Sequence, residues 1–267
     1  MFLSNSQVAN AIADRRVRAV TLTGSTRAGR AVAATAGAHL KPIVLELGGS
    51  DACIVLDDAD LEQAVATGVL SRCINTGQSC IAAKRFIVQA PVFDRFSEMF
   101  VDAMAAKRLG DPTDAETQLG PLAREDLRDQ LADQVEAAMQ AGGRRLLGGT
   151  RLDRPGFYYP ATVIADAPIE EEWFGPAAAL LSVADEDEAI ALANSSIYGL
   201  GSSVWSENPE RAQRVVERLE TGAVFVNGLV KSDPRLPFGG VKDSGYGREL
   251  GREGMFEFTN PKTVWVR

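Results

Sequence analysis

RAVTLTGSTRAGRAVAATAGAHLKPIVLEL, residues 18–47, decides the fold class. Its first six residues, RAVTLT, are β-branched and apolar, the pattern of a buried strand. GSTRAG at 24–29 is a glycine-bracketed turn, residues 31–38 read as an alanine-rich helix, and PIVLEL at 42–47 is a second buried strand closed by Gly48-Gly49. A strand, a turn, a helix and a strand in this order begin an α/β alternation.

Working outward, the alternation continues. Upstream, Val8, Ala11 and Ile12 give a short helical face. Downstream, residues 51–56 are a third apolar run. Residues 57–60 (DDAD) offer capping oxygens for a helix with Leu61, Val65, Val69 and Cys73 at i, i+4 spacing, which stops near residues 75–77 (NTG). Residues 85–89 read as a strand. Val92, Phe93, Phe96, Met99, Phe100 and Met104 mark one amphipathic helix, and Leu127, Leu131, Val135 and Met139 mark another. Strands at 160–164, 202–205 and 222–226 alternate with helices at 185–194 and 209–219. Residues 236–248 read as a glycine-rich loop and 263–267 as an extended terminal strand. The expected class is therefore α/β with a mainly parallel sheet, without internal repeats.

Composition excludes several functions. The chain has 267 residues, 45% of them hydrophobic, and a formal net charge of −8. That content supports a packed core, in one large domain or two small ones. The acidic balance argues against a nucleic-acid partner, which needs a basic stripe. His39 is the one histidine, which disfavours imidazole-based triads and most zinc chemistry, and no metal is called for. Three cysteines, Cys53, Cys73 and Cys80, do not make a disulfide framework, so a reducing cytoplasm is expected. Residues 1–10 lack the pattern of a signal peptide, and no apolar run approaches ~18 residues, so no membrane span is expected.

Several motifs can carry chemistry. Gly24 and Ser25 open the 24–29 turn at a helix N-terminus, where free N–H groups suit a phosphate; the same turn also reads as an ordinary strand-to-helix connection capped by Ser25. Cys80 ends the polar loop NTGQSC at 75–80. It reads either as a nucleophile, given a base or a low pKa, or as a free surface thiol. Cys53 and Cys73 fall on apolar faces and read as small buried hydrophobes. Glu46 sits in an apolar strand just before two glycines. Buried there it would hold a raised pKa suited to a general base; salt-bridged or edge-exposed, it would not. EEWFGP at 171–176 reads as an acid beside a packed aromatic turn, and LPFGGVKDSGYGRE at 236–249 as a second aromatic–glycine loop.

Taken together, GSTRAG, LELGGSD, NTGQSC, EEWFGP, NSSIYGL and LPFGGVKDSGYGRE, in this order, resemble the aldehyde dehydrogenase superfamily from about residue 6 to residue 267. Glu46 and Cys80 are 34 residues apart, the family's spacing between base and nucleophile. The wording of LELGGSD and GQSCIAAKRFIV looks most like bacterial succinate-semialdehyde dehydrogenases. The resemblance implies a small-molecule aldehyde as substrate and NAD or NADP as cofactor. It implies that Cys80 forms a thiohemiacetal and then a thioester, and that Glu46 activates the hydrolytic water. It places Gly24 and Ser25 at the pyrophosphate, Leu47 near the nicotinamide, and Glu172 on the nicotinamide ribose with Phe174 beside it.

The resemblance also implies an architecture: an aldehyde-dehydrogenase-like catalytic domain at 48–244, a truncated Rossmann-like remnant of the NAD(P)-binding domain at 1–47, and a C-terminal arm at 245–267. Residues 262–267 resemble the family's subunit-pairing strand, so a homo-oligomer is expected. There are departures. The family's chains are roughly twice this length, and the P-W-N-F segment that helps hold the oxyanion has no counterpart here. The stretch 165–171 is about five residues shorter than the family's. Ile74 stands where some succinate-semialdehyde enzymes carry an arginine. These departures keep two further readings in view, a non-catalytic subunit and a cofactor-independent thiol esterase.

Overall fold

The structure is a computed structural model that describes residues 3–267 apart from 168 and 170. The readings of residues 1–10 and 165–171 therefore fall partly outside the described residues. In chain order the elements are α1 (Asn5–Ala13), β1 (Val20–Thr23), α2 (Thr26–Ala38), β2 (Ile43–Glu46), β3 (Ala52–Val55), α3 (Leu61–Cys73), β4 (Arg85–Gln89), α4 (Ala90–Ala105) and α5 (Glu125–Gln140). They continue with β5 (Arg144–Leu147), β6 (Thr162–Ala165), β7 (Ala177–Val183), α6 (Glu186–Asn194), β8 (Tyr198–Gly199), β9 (Gly201–Trp205) and α7 (Pro209–Val216). The last are β10 (Ala223–Val226), β11 (Val241–Lys242), β12 (Gly245–Tyr246) and α8 (Gly251–Phe256). No helix among the described residues is long and apolar enough to cross a membrane.

The chain forms two compact units, one holding the chain up to Gly48 together with Lys231–Arg267, the other Gly49–Val230. The sequence reading draws the second boundary at residue 244, whereas the structure draws it at 230. The reason is hydrogen bonding: Gly245 and Tyr246 pair antiparallel with Glu46 and Leu45, and the Ser244 hydroxyl donates to the Gly48 carbonyl at 2.6 Å. The segment before β12 is thereby tied to β2.

In the first unit, β1 and β2 run parallel with α2 as their crossover. The starts of α1 and α2 have a chemical cause. Ser4 and Gln7 close a capping box on α1, and the Ser25 hydroxyl accepts from Ala28 N to cap α2. Residues 263–267 form no strand and have no ladder partner among the described residues. Val264, Trp265 and Val266 are 74%, 86% and 84% exposed.

The second unit is built on a seven-stranded sheet in the order β10-β9-β3-β4-β7-β6-β5, parallel except for β5. Strands β3, β4, β6 and β9 are buried at every position, as a parallel sheet covered by helices requires, whereas the edge strands β5 and β10 are partly exposed. Alternate side chains go to opposite sides. Cys53, Val55, Phe86, Val88 and Leu180 pack with Phe93, Phe96 and Phe100 of α4 and with α3. Ile54, Ile87 and Val204 pack with Ala189, Ile190, Ala212 and Val215 of α6 and α7. At the carboxyl ends of the strands Arg211 gathers Asp57 (2.5 Å), Asp58 (2.9 Å), Gln89 (2.9 Å) and Glu186. The sequence reading lacks β5 and β7, and β7 is central to the sheet.

Candidate active site

The residues singled out in the sequence fall into two groups. Gly24, Ser25, Glu46 and Leu47 belong to the first unit; Cys80, Glu172 and Phe174 belong to the second.

In the first unit, Glu46 ends β2, and its carbonyl accepts from Gly24 N at 2.9 Å, which joins the glycine turn to the end of the strand. Its carboxylate is buried, and neither oxygen has a hydrogen-bond partner among the described residues. Glu46 is therefore neither salt-bridged nor exposed at an edge. Burial pushes its pKa up to about 7; Glu249 adds to the rise and Arg248 opposes it. Glycine at 239 is required there, since a Cβ would stand 2.8 Å from Glu46 Oε1. Leu47 packs on Gly29, where a Cβ would lie 2.5 Å from both of its methyl carbons. A Cβ at Gly24 would meet the Leu22 side chain at 3.9 Å, an ordinary contact, and Ser25 is occupied as a cap.

In the second unit, α3 ends at Cys73 and the chain turns sharply into the Cys80 loop. Asn75 (φ 51°), Thr76 (φ 55°) and Gly77 (φ 76°) are successive left-handed residues. The turn is held from several sides. Gly120 N donates to Thr76 Oγ1 at 3.0 Å, Ala123 N to Gln78 Oε1 at 2.8 Å, and the buried Arg72 guanidinium to the Gly77 carbonyl at 2.5 Å. Burial draws the Arg72 pKa down to about 10. Cys80 is half-buried, whereas Cys53 and Cys73 are buried thiols. Burial pushes Cys53 up to about 11 and raises Cys73 as well, which marks both as inert.

The Lys84 ammonium, fully buried, donates to the carbonyls of Ser79 (3.0 Å) and Cys80 (2.6 Å). It also stands 3.4 Å from Glu172 Oε1, which accepts from Gly49 N at 3.2 Å. Gly49 in turn lies against the loop, where a Cβ would stand 2.5 Å from the Cys80 carbonyl oxygen. Asp51 is buried nearby, accepts from Gly201 N at 3.1 Å, and is pushed up to about 7 by burial against the pull of Lys84. Phe174 is half-buried, two residues beyond Glu172. Ile74 is 42% exposed.

Thus Cys80 and Glu172 are linked through Lys84 and Gly49, none of which the sequence reading selects for a role. The available signal is Lys84-Arg85, a charged pair between two apolar runs at the start of a strand. Arg85 has its own task, bonding the carbonyls of Ser50, Leu192 and Ala193.

Comparison with known proteins identifies the family. Residues 3–264 match the aldehyde dehydrogenase family. The chain is 52% identical over 271 residues to "Succinate-semialdehyde dehydrogenase [NADP(+)] 1" of Mycobacterium tuberculosis, covering all of this chain and 59% of that one. It is 51% identical over 260 residues to "Probable succinate-semialdehyde dehydrogenase [NADP(+)]" of Synechocystis sp., covering 96% and 57%. Among solved structures, succinic semialdehyde dehydrogenase from Streptococcus pyogenes in complex with NADP+ superposes with a TM-score of 0.96 at 44% identity, over 100% of this chain and 60% of that one. Lactaldehyde dehydrogenase from Escherichia coli gives 0.94 at 34% identity, over 97% and 55%. The chain thus spans 59% of the length of its M. tuberculosis relative. With nearly every residue inside the match and the motif order intact across both units, the chain belongs to the aldehyde dehydrogenase family.

Proposed function

We propose that this chain carries out NADP-dependent oxidation of an aldehyde to its carboxylic acid, with a succinate-semialdehyde type of substrate. The names of the relatives support the cofactor and the substrate class. The observation that carries the reading is Glu46, a buried carboxylate with no hydrogen-bond partner on either oxygen and a pKa near 7, the condition of a general base at neutral pH. The Cys80 thiolate attacks the aldehyde carbon, forming the S–C bond of a thiohemiacetal. A nicotinamide cofactor would supply the hydride acceptor for that carbon, and Cys80 would then carry a thioester. Glu46 takes a proton from a water molecule whose oxygen adds to the thioester carbon. The C–S bond then breaks, releasing the acid and the thiolate.

The residues present suit the cofactor. Helix α2 has its N-terminus at Ser25, next to Gly24, where a Cβ would meet nothing nearer than Leu22 at 3.9 Å, and N–H groups at such an end favour a pyrophosphate. The Glu172 carboxylate suits a ribose hydroxyl, with Phe174 beside it in sequence and Leu47 at the nicotinamide. On this reading β1, α2 and β2 belong to the NADP-binding domain, Gly49–Val230 is the catalytic domain, and the exposed residues 264–266 pair with a second copy of the chain. A cytoplasmic setting suits a reduced thiol nucleophile.

The test is NADPH formation from succinate semialdehyde and a panel of small aldehydes, with Cys80→Ala as control. Turnover lost in the variant supports the reading, and no turnover by folded chain overturns it. A second reading, ester or thioester hydrolysis without cofactor, is favoured by the same Glu46, since its role needs only water. Hydrolysis of an activated ester in the absence of NADP, lost in Cys80→Ala, selects it.

A further inference from the structure

We infer that Lys84 is a positioning residue that fixes the nucleophile loop and supplies the positive charge facing Cys80. The inference rests on the reading of Cys80 as the nucleophile. A thiol attacks as its thiolate, and a thiolate needs a base or a nearby cation. The imidazole that serves this purpose in many thiol enzymes has no counterpart in the second unit, because the chain's one histidine, His39, lies in the first. The Lys84 ammonium is bonded directly to the backbone of the cysteine, through the carbonyl of Cys80 at 2.6 Å, and to the preceding carbonyl of Ser79 at 3.0 Å. Two carbonyls held by one ammonium pin the loop just where it leaves the left-handed turn at 75–77.

The geometry around Lys84 keeps its charge directed at this loop. It precedes β4, its own backbone N–H donates to the Asp51 carbonyl at 3.0 Å, and its side chain is wholly buried. Burial lowers the Lys84 pKa, a fall that Glu172 from the segment before β7, Asp51 from the segment before β3 and Cys80 oppose. Arg72 of α3 is the opposing cation. Arg85, the neighbouring cation, turns away to bind Ser50, Leu192 and Ala193. Glu172 is bound to the same ammonium at 3.4 Å, so one side chain joins the proposed ribose ligand to the nucleophile loop. Truncating Lys84 would leave the carbonyls of Ser79 and Cys80 without this donor and Glu172 without its ion-pair partner.

The test is the pH dependence of Cys80 alkylation by iodoacetamide, followed by peptide mass spectrometry in the full chain without cofactor or aldehyde. Lys84→Met is expected to raise the midpoint by about one pH unit, which lowers the thiolate fraction below the midpoint about tenfold. Lys84→Gln keeps an amide donor for the carbonyls and removes only the charge; it reads the same quantity where the methionine variant fails to fold. A folded variant that titrates like wild type, even with a lowered melting temperature, overturns the inference. The two readings fail separately. A chain that forms no NADPH still reports on Lys84, and a chain that forms NADPH with an unchanged midpoint in the variant overturns the role of Lys84 alone.

Discussion

Gly77 and Gly175 approach backbone to backbone: a Cβ on Gly77 would stand only 2.3 Å from both the carbonyl carbon and oxygen of Gly175. The loop that carries Cys80 is thereby seated on the turn that follows Phe174. Gly77 is also left-handed, at φ 76°. Gly77→Ala is therefore expected to cost about 2–4 kcal/mol, from left-handed strain and overpacking together. Urea denaturation measures it, and wild-type stability would contradict so close an approach.

Glu46 sets stability against proposed catalysis. Its pKa is about 7 in the folded chain, against an ordinary value of 4.5. Between these values the folded chain binds more protons than the unfolded one, so the Glu46 contribution to stability falls as pH rises from 4.5 through 7. Glu46→Gln removes that fall. The variant should exceed wild type at pH 8 by on the order of 2 kcal/mol, while NADPH formation drops about 100-fold. Denaturation curves at acid and alkaline pH, with rates alongside, check both signs.

Phe86 and Phe100 stand 4.4 Å apart between ring centroids and are fully buried between the sheet and α4. Phe100→Ala should cost about 3–5 kcal/mol through lost burial and the cavity left behind. A calorimetric melt reads this directly. A cost below about 1 kcal/mol would mean that the core collapses into the space.

Gly29 on α2 gives Leu47 its position. The alanine of Gly29→Ala would meet both Leu47 methyl carbons at 2.5 Å, so Leu47 must move. The expected cost is about 1–3 kcal/mol. With Leu47 at the proposed nicotinamide site, KM for NADP should rise more than kcat falls. Steady-state kinetics of the variant decide this.

Trp265 is 86% exposed between two exposed valines. If the segment pairs with a second copy, Val264→Asp should weaken self-association and leave the melting of the second unit unchanged. Sedimentation velocity over a range of concentrations checks it. Equal association of both proteins would remove residues 264–266 from the interface.

Much of the fold is legible because apolar runs and caps coincide with element ends. Asp60 and Asp185 cap α3 and α6 just where the sequence places the helix starts. Strand β7 escapes because AAALLSV is alanine-rich and shows neither β-branched enrichment nor alternation. Strand β5, RRLL, escapes because half of it is charged. Cys80 and Glu46 are legible as residue types, but their surroundings are not. Gly49 and Glu172 meet across 123 positions, and Lys84 is buried by partners drawn from three separate segments. Local patterning holds no record of such contacts.

The strands β3, β4, β7 and β9 lie side by side and point the same way. Their carboxyl ends are where ligands sit in most open α/β sheets, yet here that rim is closed by Arg211 and its four polar partners. Just before the amino ends, or close by in the Cys80 loop, come Gly49, Gly77, Gly175 and Gly201, each with another atom standing within 2.7 Å of where a Cβ would be. The two rims therefore differ in tolerance. An insertion beside Asn208 meets solvent and lengthens a connection far from the Cys80 loop, whereas one added methyl group at the opposite rim has nowhere to go.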